Sequence, residues 1–210
     1  MVHAIPKFTI VPLIKLWIRK TNGIENIPKE GAFIIAANHS SYMDHLVVGS
    51  TMIPYLDKKV HYLAKKEHFE NIIERKCYNY FGAIPIDRQS GGKRALRRAI
   101  KELRQGEIIA MYPEGTRSLT GKIQKAKTGI ARLVLAARVP VLPIGLIGAF
   151  EILPKGRRIP KAKRADIYIG KPVYFDKYYK RPVTKKLLRE ITTVIMRDIA
   201  KLSRQKYNFD

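Results

Sequence analysis

Residues 32–44 read AFIIAANHSSYMD, an apolar run that passes directly into a short polar stretch. The run at 32–37 has the length and the β-branched content of a buried strand, and the residues from His45 onward can continue as a helix. A strand that leads into a helix is the repeating unit of α/β domains. The stretch therefore predicts a junction between sheet and helix, and it places a histidine there.

The spacing between His39 and Asp44 restricts where the two side chains can lie. Residues five apart on one helix lie about 140° apart around its axis, so their side chains cannot meet. We therefore expect His39 in the loop and Asp44 in the first helical turn, with Ser41 as the N-cap of a Ser-x-x-Asp capping box. The helix dipole favours a carboxylate at that place.

This arrangement gives the pair a chemical role. Asp44 can accept a hydrogen bond from one imidazole nitrogen and leave the other free to take a proton. The result is a base with its orienting carboxylate and without a Ser or Cys nucleophile, so the proton would come from the substrate. The alternative is that Asp44 only caps the helix and that His39 is an ordinary loop residue.

The charge balance points to anionic partners. The 210 residues include 41 Lys and Arg against 17 Asp and Glu, a net charge of +24. Such a surplus favours nucleic acid, anionic lipid or small acidic substrates, or it is simply a solvated surface. The cations are not interleaved with aromatic residues and no recognition module is evident, so we expect no nucleic-acid partner and keep a basic nucleic-acid-binding protein as a distant alternative.

The cysteine count and the histidine spacing argue against a metal or a cofactor. Cys77 is the single cysteine, which excludes an intramolecular disulfide and a cysteine-based metal site. His39, Asp44 and His45 are too close together in the chain for a zinc site. We therefore expect no metal and no resident cofactor.

Residues 8–20 read FTIVPLIKLWIRK, a mostly apolar segment with Trp17 and cations at its far end. Short helices of this composition commonly lie in the membrane interface, although the segment can instead pack on its own domain. The chain shows neither a signal-peptide layout nor the run of about 20 apolar residues that spans a bilayer. We expect a membrane-interface segment at 1–23, a single domain at 24–210 and a peripheral protein on the cytoplasmic face of a membrane.

Strand and helix patterns alternate along the rest of the chain. Strands are predicted at about 32–37, 59–64, 82–86, 107–112, 139–147 and 167–173, and helices at about 67–80, 92–105, 126–138 and 184–204. This order indicates an α/β fold, a single domain with a largely parallel or mixed sheet flanked by helices.

Three polar segments, at 38–44, 87–88 and 114–117, come at or just after the ends of predicted strands. In open α/β sheets the carboxyl ends of the strands are where ligands bind. The segments supply a base with its orienting carboxylate, two guanidinium groups that suit a phosphate, and Gly115, which lets backbone approach a ligand closely. This chemistry suits transfer to or from a phosphate-bearing acceptor with a hydroxyl to deprotonate.

A nucleotide-binding P-loop does not explain the glycines. That motif needs four residues between its first Gly and Gly-Lys, followed by Ser or Thr. Here five residues separate Gly115 from Gly121-Lys122, and Ile123 follows.

Four sequence blocks resemble the glycerolipid acyltransferases, and most closely the lysophosphatidic acid (1-acyl-sn-glycerol-3-phosphate) acyltransferase family. NHSSYMD is similar to the N-H-x4-D motif of that family, and the other three blocks are GAIPIDR at 82–88, YPEGTRS at 112–118 and VPVLPIG at 139–145. The departures are small: Tyr112 stands where Phe is usual, and Pro85 where an aromatic or other apolar residue is common.

The resemblance implies roles for named residues. His39 would be the general base and Asp44 its partner. The residues implied in binding the phosphorylated acceptor are Arg88, Glu114, Gly115, Thr116 and Arg117, with Lys65 as a further candidate. We also expect backbone N–H groups at the start of the His39 helix to stabilise the oxyanion.

The resemblance also implies a reaction and its partners. An acyl group would move from acyl-CoA or acyl-acyl-carrier-protein to the free hydroxyl of lysophosphatidic acid, giving phosphatidic acid. The partners implied are the thioester donor, the lysophospholipid acceptor and an anionic membrane surface. An acyltransferase that acts on glycerol-3-phosphate or another lysophospholipid is the alternative.

Overall fold

The structure is a computed structural model that describes residues 8–56, 58–80, 82–87 and 92–209, apart from the side chain of Cys77. The strands are β1 (Ile18–Asn22), β2 (Ile34–Ala37), β3 (Val60–Lys65), β4 (Ile84–Ile86), β5 (Ile108–Met111), β6 (Val141–Ile147) and β7 (Ala165–Ile169). The α-helices are α1 (Ile10–Lys15), α2 (Asp44–Met52), α3 (Ile72–Tyr80), α4 (Lys93–Arg104), α5 (Gly129–Ala137), α6 (Ala149–Ile152) and α7 (Lys185–Leu202). Short 3-10 turns lie at Ile24–Asn26, Ile53–Tyr55, Lys66–Phe69 and Asp176–Tyr178.

The strands of the described ranges form one mixed sheet in the order β1-β7-β6-β2-β5-β3-β4. Strands β2 to β6 run parallel to one another, β7 runs antiparallel to β6, and β1 runs parallel to β7. This confirms the predicted α/β fold with a mixed sheet. Because β2 lies between β5 and β6, the loops that follow these three strands meet at one edge of the sheet.

Both faces of the central strand β2 are buried. Ile34 and Ala36 belong to a core beneath α4, α5 and α7, whereas Phe33 and Ile35 belong to a second core beneath α1 and α2. A strand that is covered on both faces needs apolar side chains at every position, since no face is left for polar residues. The unbroken apolar run before His39 is therefore a consequence of the central place of β2.

The structure divides the apolar N-terminal segment differently from the sequence prediction. A membrane-interface segment is expected at 1–23, of which residues 1–7 lie outside the described residues. In the remainder the helix α1 is short, and the strand β1 follows it and pairs with β7. The guanidinium of Arg19 holds the carboxylate of Asp166 through two hydrogen bonds of 2.8 and 2.6 Å. A five-residue edge strand that carries exposed cations is too short for its alternating pattern to be distinguished from the pattern of a helix.

No helix within the described residues combines the length and the apolar character needed to cross a bilayer.

Candidate active site

The loop between β2 and α2 holds His39 and Asp44 in direct contact. The Nδ1 atom of His39 lies 2.8 Å from Oδ2 of Asp44, whose side chain is fully buried. The same carboxylate oxygen accepts the backbone N–H groups of Ser40 at 2.7 Å and Ser41 at 2.8 Å. Because a carboxylate only accepts hydrogen bonds, Nδ1 carries the proton and Nε2 keeps its lone pair. The predicted contact is therefore present in the structure, with Nε2 as the nitrogen free to take a proton.

The predicted capping box forms only in part. Asp44 accepts the N–H of Ser41 as expected, but the Ser41 hydroxyl accepts from the N–H of Met43 at 3.1 Å and donates to the carbonyl of Leu153 at 2.9 Å. The helix begins at Asp44 itself, after Met43 as its cap. Ser41 is thus not the N-cap, because its hydroxyl joins the loop to the segment after α6.

The backbone N–H groups of the loop just before α2 are bonded within the protein. The N–H groups of Ser40 and Ser41 bond Asp44, that of Tyr42 bonds the carbonyl of Leu153 at 3.0 Å, and that of Met43 bonds the Ser41 hydroxyl. The helix α2 begins at Asp44, so the N–H groups at its own start are not among these four, and the expectation that they stabilise an oxyanion stays a prediction.

The YPEGTRS segment wraps around the backbone of His39. Glu114 Oε1 accepts the His39 N–H at 2.7 Å, and the N–H of Ser118 donates to the His39 carbonyl at 2.8 Å. The other oxygen of Glu114 accepts the backbone and side-chain N–H groups of Gln124 at 2.8 and 3.3 Å. Glu114 is 3% exposed, and its carboxylate holds the two loops together. This differs from the implied contact with the acceptor, since both oxygens already bond the protein.

Burial changes the proton affinity of Glu114. Desolvation raises the pKa of this carboxyl group to about 7, although the hydrogen bonds from His39 and Gln124 oppose the change. The group that fixes the backbone of His39 therefore exchanges a proton near neutral pH.

The ring of Tyr112 stacks on the ring of His39. The two centroids are 4.0 Å apart and the planes are inclined by 14°. The Tyr112 hydroxyl is buried without a hydrogen-bond partner among the described residues, and burial raises its pKa well above the usual range. The sequence analysis noted Tyr112 only as a replacement for Phe and did not predict its contact with His39. That contact depends on the pairing of β5 with β2, which brings residue 112 beside His39.

The other predicted binding residues lie at different places around this loop. The guanidinium carbon of Arg117 lies 3.4 Å from the ring centre of Tyr42, and Thr116 is exposed. Gly115 has a left-handed backbone with φ of 74°, and Lys65 is exposed at the end of β3. Arg88 lies outside the described residues.

A cavity of about 320 Å³ opens beside His39. Its lining combines apolar side chains from β3, β4, β5 and α4 with cationic side chains from the segment before α5 and from α5 itself. The lining includes Leu63, Ile86, Leu96, Met111, Lys127 and Arg132. A cavity with both surfaces suits a ligand that carries an apolar chain and an anionic group. Within the described ranges no group of three or more His, Cys, Asp or Glu side chains is arranged to hold a metal ion.

Known proteins resemble the chain over most of its length. Residues 18–147 match the family model described as Acyltransferase. The 1-acyl-sn-glycerol-3-phosphate acyltransferase of Bacillus subtilis is 29% identical over 178 residues, which cover 85% of this chain and 84% of that protein. The chloroplastic 1-acyl-sn-glycerol-3-phosphate acyltransferase LPAT1 of Arabidopsis thaliana is 28% identical over 80% of this chain, which spans 46% of the plant protein. The crystal structure of the 1-acyl-sn-glycerophosphate acyltransferase PlsC from Thermotoga maritima superposes with a TM-score of 0.72 at 27% identity, covering 96% of this chain and 81% of the other.

Proposed function

Because the chain belongs to the acyltransferase family, we propose that it moves a fatty acyl group from a thioester donor to the free hydroxyl of lysophosphatidic acid, which gives phosphatidic acid. The observation that carries the proposal is the His39 ring, fixed by a buried carboxylate with Nε2 free and placed at the wall of a cavity. The relatives named for 1-acyl-sn-glycerol-3-phosphate support the choice of acceptor.

His39 acts as the general base in this mechanism. Its Nε2 takes the proton of the acceptor hydroxyl while the oxygen attacks the thioester carbonyl. The C–S bond then breaks, the ester C–O bond remains, and the proton leaves on the thiol. The buried charge of Asp44 stabilises the imidazolium that forms between these steps, and a positioned base accelerates such a reaction by about 10²–10⁴-fold.

The phosphate of the acceptor needs cationic partners near His39. Arg117, with Gly115 and Thr116 beside it, stays our proposal for one part of that site, and Arg88 and Lys65 stay proposals from the sequence. Glu114 is assigned to another task, since it holds the backbone of His39 and is not free to bind a ligand. We propose acyl-CoA or acyl-acyl-carrier-protein as the donor, and no resident cofactor.

We place the contact with the membrane on α1 and the neighbouring basic loop at 155–164. Phe8, Leu13 and Leu16 are 72%, 56% and 61% exposed around α1, and the indole N–H of Trp17 donates to the carbonyl of Lys161 at 3.1 Å. Basic side chains near an anionic bilayer contribute about 1 kcal/mol each, and salt weakens this attraction. Co-sedimentation with phosphatidylglycerol vesicles should therefore fall as the salt concentration rises, and Leu13→Asp should reduce it at every salt concentration.

Thiol release tests the reaction itself. The assay measures free thiol from an acyl-CoA with and without lysophosphatidic acid, for the wild type and for His39→Ala, and it is repeated with acyl-acyl-carrier-protein. Release should depend on the acceptor and should be lost in a His39→Ala protein that keeps the circular dichroism of the wild type. No release with either donor would contradict the proposed function.

A further inference from the structure

Lys127 is a cation in the His39 cavity that the sequence motifs do not include. It lies in the segment between the PEGTRS block and α5, and it lines the cavity together with His39 and Gly115. Its backbone N–H donates to the carbonyl of Pro113 at 2.8 Å, which fixes the segment against the start of that block. Its side chain is exposed and makes no ion pair within the described part of the chain.

Gly115 lets the Lys127 side chain lie across the backbone beside the cavity. A β-carbon at Gly115 would stand 3.1 Å from Cδ and 3.2 Å from Cε of Lys127, which is closer than ordinary contacts. The ammonium nitrogen would be 3.6 Å from the same position. Because Gly115 has no side chain, there is room for the aliphatic part of Lys127. The ammonium group of Lys127 lies beside Gly115.

The chemistry of the acceptor limits where its phosphate can bind. In lysophosphatidic acid the free hydroxyl and the phosphate sit on neighbouring carbons, so phosphorus is about four bonds of roughly 1.5 Å from the attacking oxygen. A hydroxyl within hydrogen-bond reach of Nε2 of His39 therefore puts the phosphate in or next to the same cavity. The phosphate of a thioester donor is separated from the reacting carbonyl by the whole pantetheine arm. A cation in the His39 cavity is therefore within reach of the phosphate of the acceptor and far from the phosphate of the donor.

Arg117 lies differently in this structure. Its guanidinium stacks on the ring of Tyr42, and it is not among the residues that line the cavity. Lys127 shares the cavity with a second cation, Arg132 of α5, and with the apolar side chains that suit an acyl chain.

We infer that Lys127 binds the phosphate group of the lysophospholipid acceptor in the His39 cavity. The inference rests on the proposed function and adds a substrate-binding residue to it. A lysine serves here as a point charge with three N–H donors, and it remains flexible enough to follow the phosphate as the acceptor enters.

Steady-state kinetics with three variants test the assignment. Lys127→Gln keeps most of the stem and removes the charge, Lys127→Arg keeps the charge, and Lys125→Gln removes an exposed charge two residues away as the matched control. Charge-assisted hydrogen bonds to phosphate predict that Lys127→Gln raises the KM for lysophosphatidic acid by about 10- to 100-fold and leaves the donor KM within about twofold. Lys127→Arg should recover most of the loss, and Lys125→Gln should match the wild type.

A binding measurement gives a second readout that needs no turnover. Titration calorimetry with glycerol-3-phosphate should show binding to the wild type and to Lys125→Gln, and a weakening of about tenfold or more for Lys127→Gln. Equal changes in both KM values, or unchanged binding of glycerol-3-phosphate, would overturn the assignment of Lys127. Failure of the wild type to release thiol would instead count against the proposed function, and the calorimetry would still decide the role of Lys127.

Discussion

Replacing Glu114 with Gln should change how the stability of the protein depends on pH. The wild-type carboxyl group is buried, and its pKa rises from the ordinary 4.5 to about 7 mainly through desolvation. The native protein therefore keeps this proton up to about pH 7, whereas the unfolded chain releases it near pH 4.5. Proton binding that is stronger in the native state means that stability falls as pH rises between these two values.

The size of the effect follows from the same two values. The interval from 4.5 to about 7 corresponds to about 3 kcal/mol of unfolding free energy, which is present below pH 4.5 and lost above pH 7. Glutamine stays neutral throughout and lacks this dependence. Its single carbonyl oxygen cannot accept from both His39 and Gln124, so the variant also loses about 1–3 kcal/mol at every pH.

Denaturant unfolding of both proteins between pH 4 and pH 8.5 would measure the effect. We expect Glu114→Gln to be less stable than the wild type by about 1–3 kcal/mol in acid. Between pH 4.5 and pH 7 the difference should change by about 3 kcal/mol in favour of the variant, so that above pH 7 the variant is at least as stable as the wild type. Taking the difference at each pH removes the titration of all other groups. A constant gap between pH 5 and pH 8 would refute the reasoning, because it would mean that Glu114 titrates alike in the native and unfolded states.

Three further substitutions separate chemistry from packing. Asp44→Asn keeps an oxygen for the two backbone N–H groups but removes the charge beside His39, so kcat should fall by about 10²–10⁴-fold with little change in either KM; a change confined to KM in steady-state kinetics would contradict this. Tyr112→Phe removes a buried hydroxyl that has no hydrogen-bond partner among the described residues, so it should not lower the melting temperature and should keep the rate of thiol release. Tyr112→Leu should lower the rate because it loses the stack on His39. Gly145→Ala would push a methyl group into the backbone of Leu202 and should cost about 3 kcal/mol in denaturant unfolding, and an unchanged midpoint would show that α7 can move away.

Local patterns predicted most of the fold. The buried run before His39, the amphipathic helix of 93–104 and the long final helix each carry enough residues for their period to be read. Strand β1 was missed because five residues at the edge of a sheet do not reveal a period. Its place beside β7 depends on a pairing with residues about 145 positions later, which no local pattern encodes.

The sequence predicted which chemical groups the site contains, but it predicted only part of their arrangement in space. The contact between His39 and Asp44 was predicted from their spacing together with the resemblance of the surrounding block, because spacing alone left a plain helix cap as the alternative. The task of Glu114 could not be foreseen, because it depends on the approach of two loops 75 positions apart in sequence. The same holds for Lys127, whose place in the His39 cavity depends on how the segment before α5 packs over Gly115.

The pairing of β1 with β7 has a practical consequence for shortened forms of the protein. Removal of residues 1–23, the segment assigned to the membrane from its sequence, would also remove β1 and leave the open N–H and C=O groups of β7 at the edge of the sheet. An unprotected edge of this kind recruits a strand from another molecule. Such a truncated protein should aggregate in aqueous buffer with or without lipid, and a truncation that removes only residues 1–7 and retains both α1 and Ile18–Asn22 should remain monodisperse.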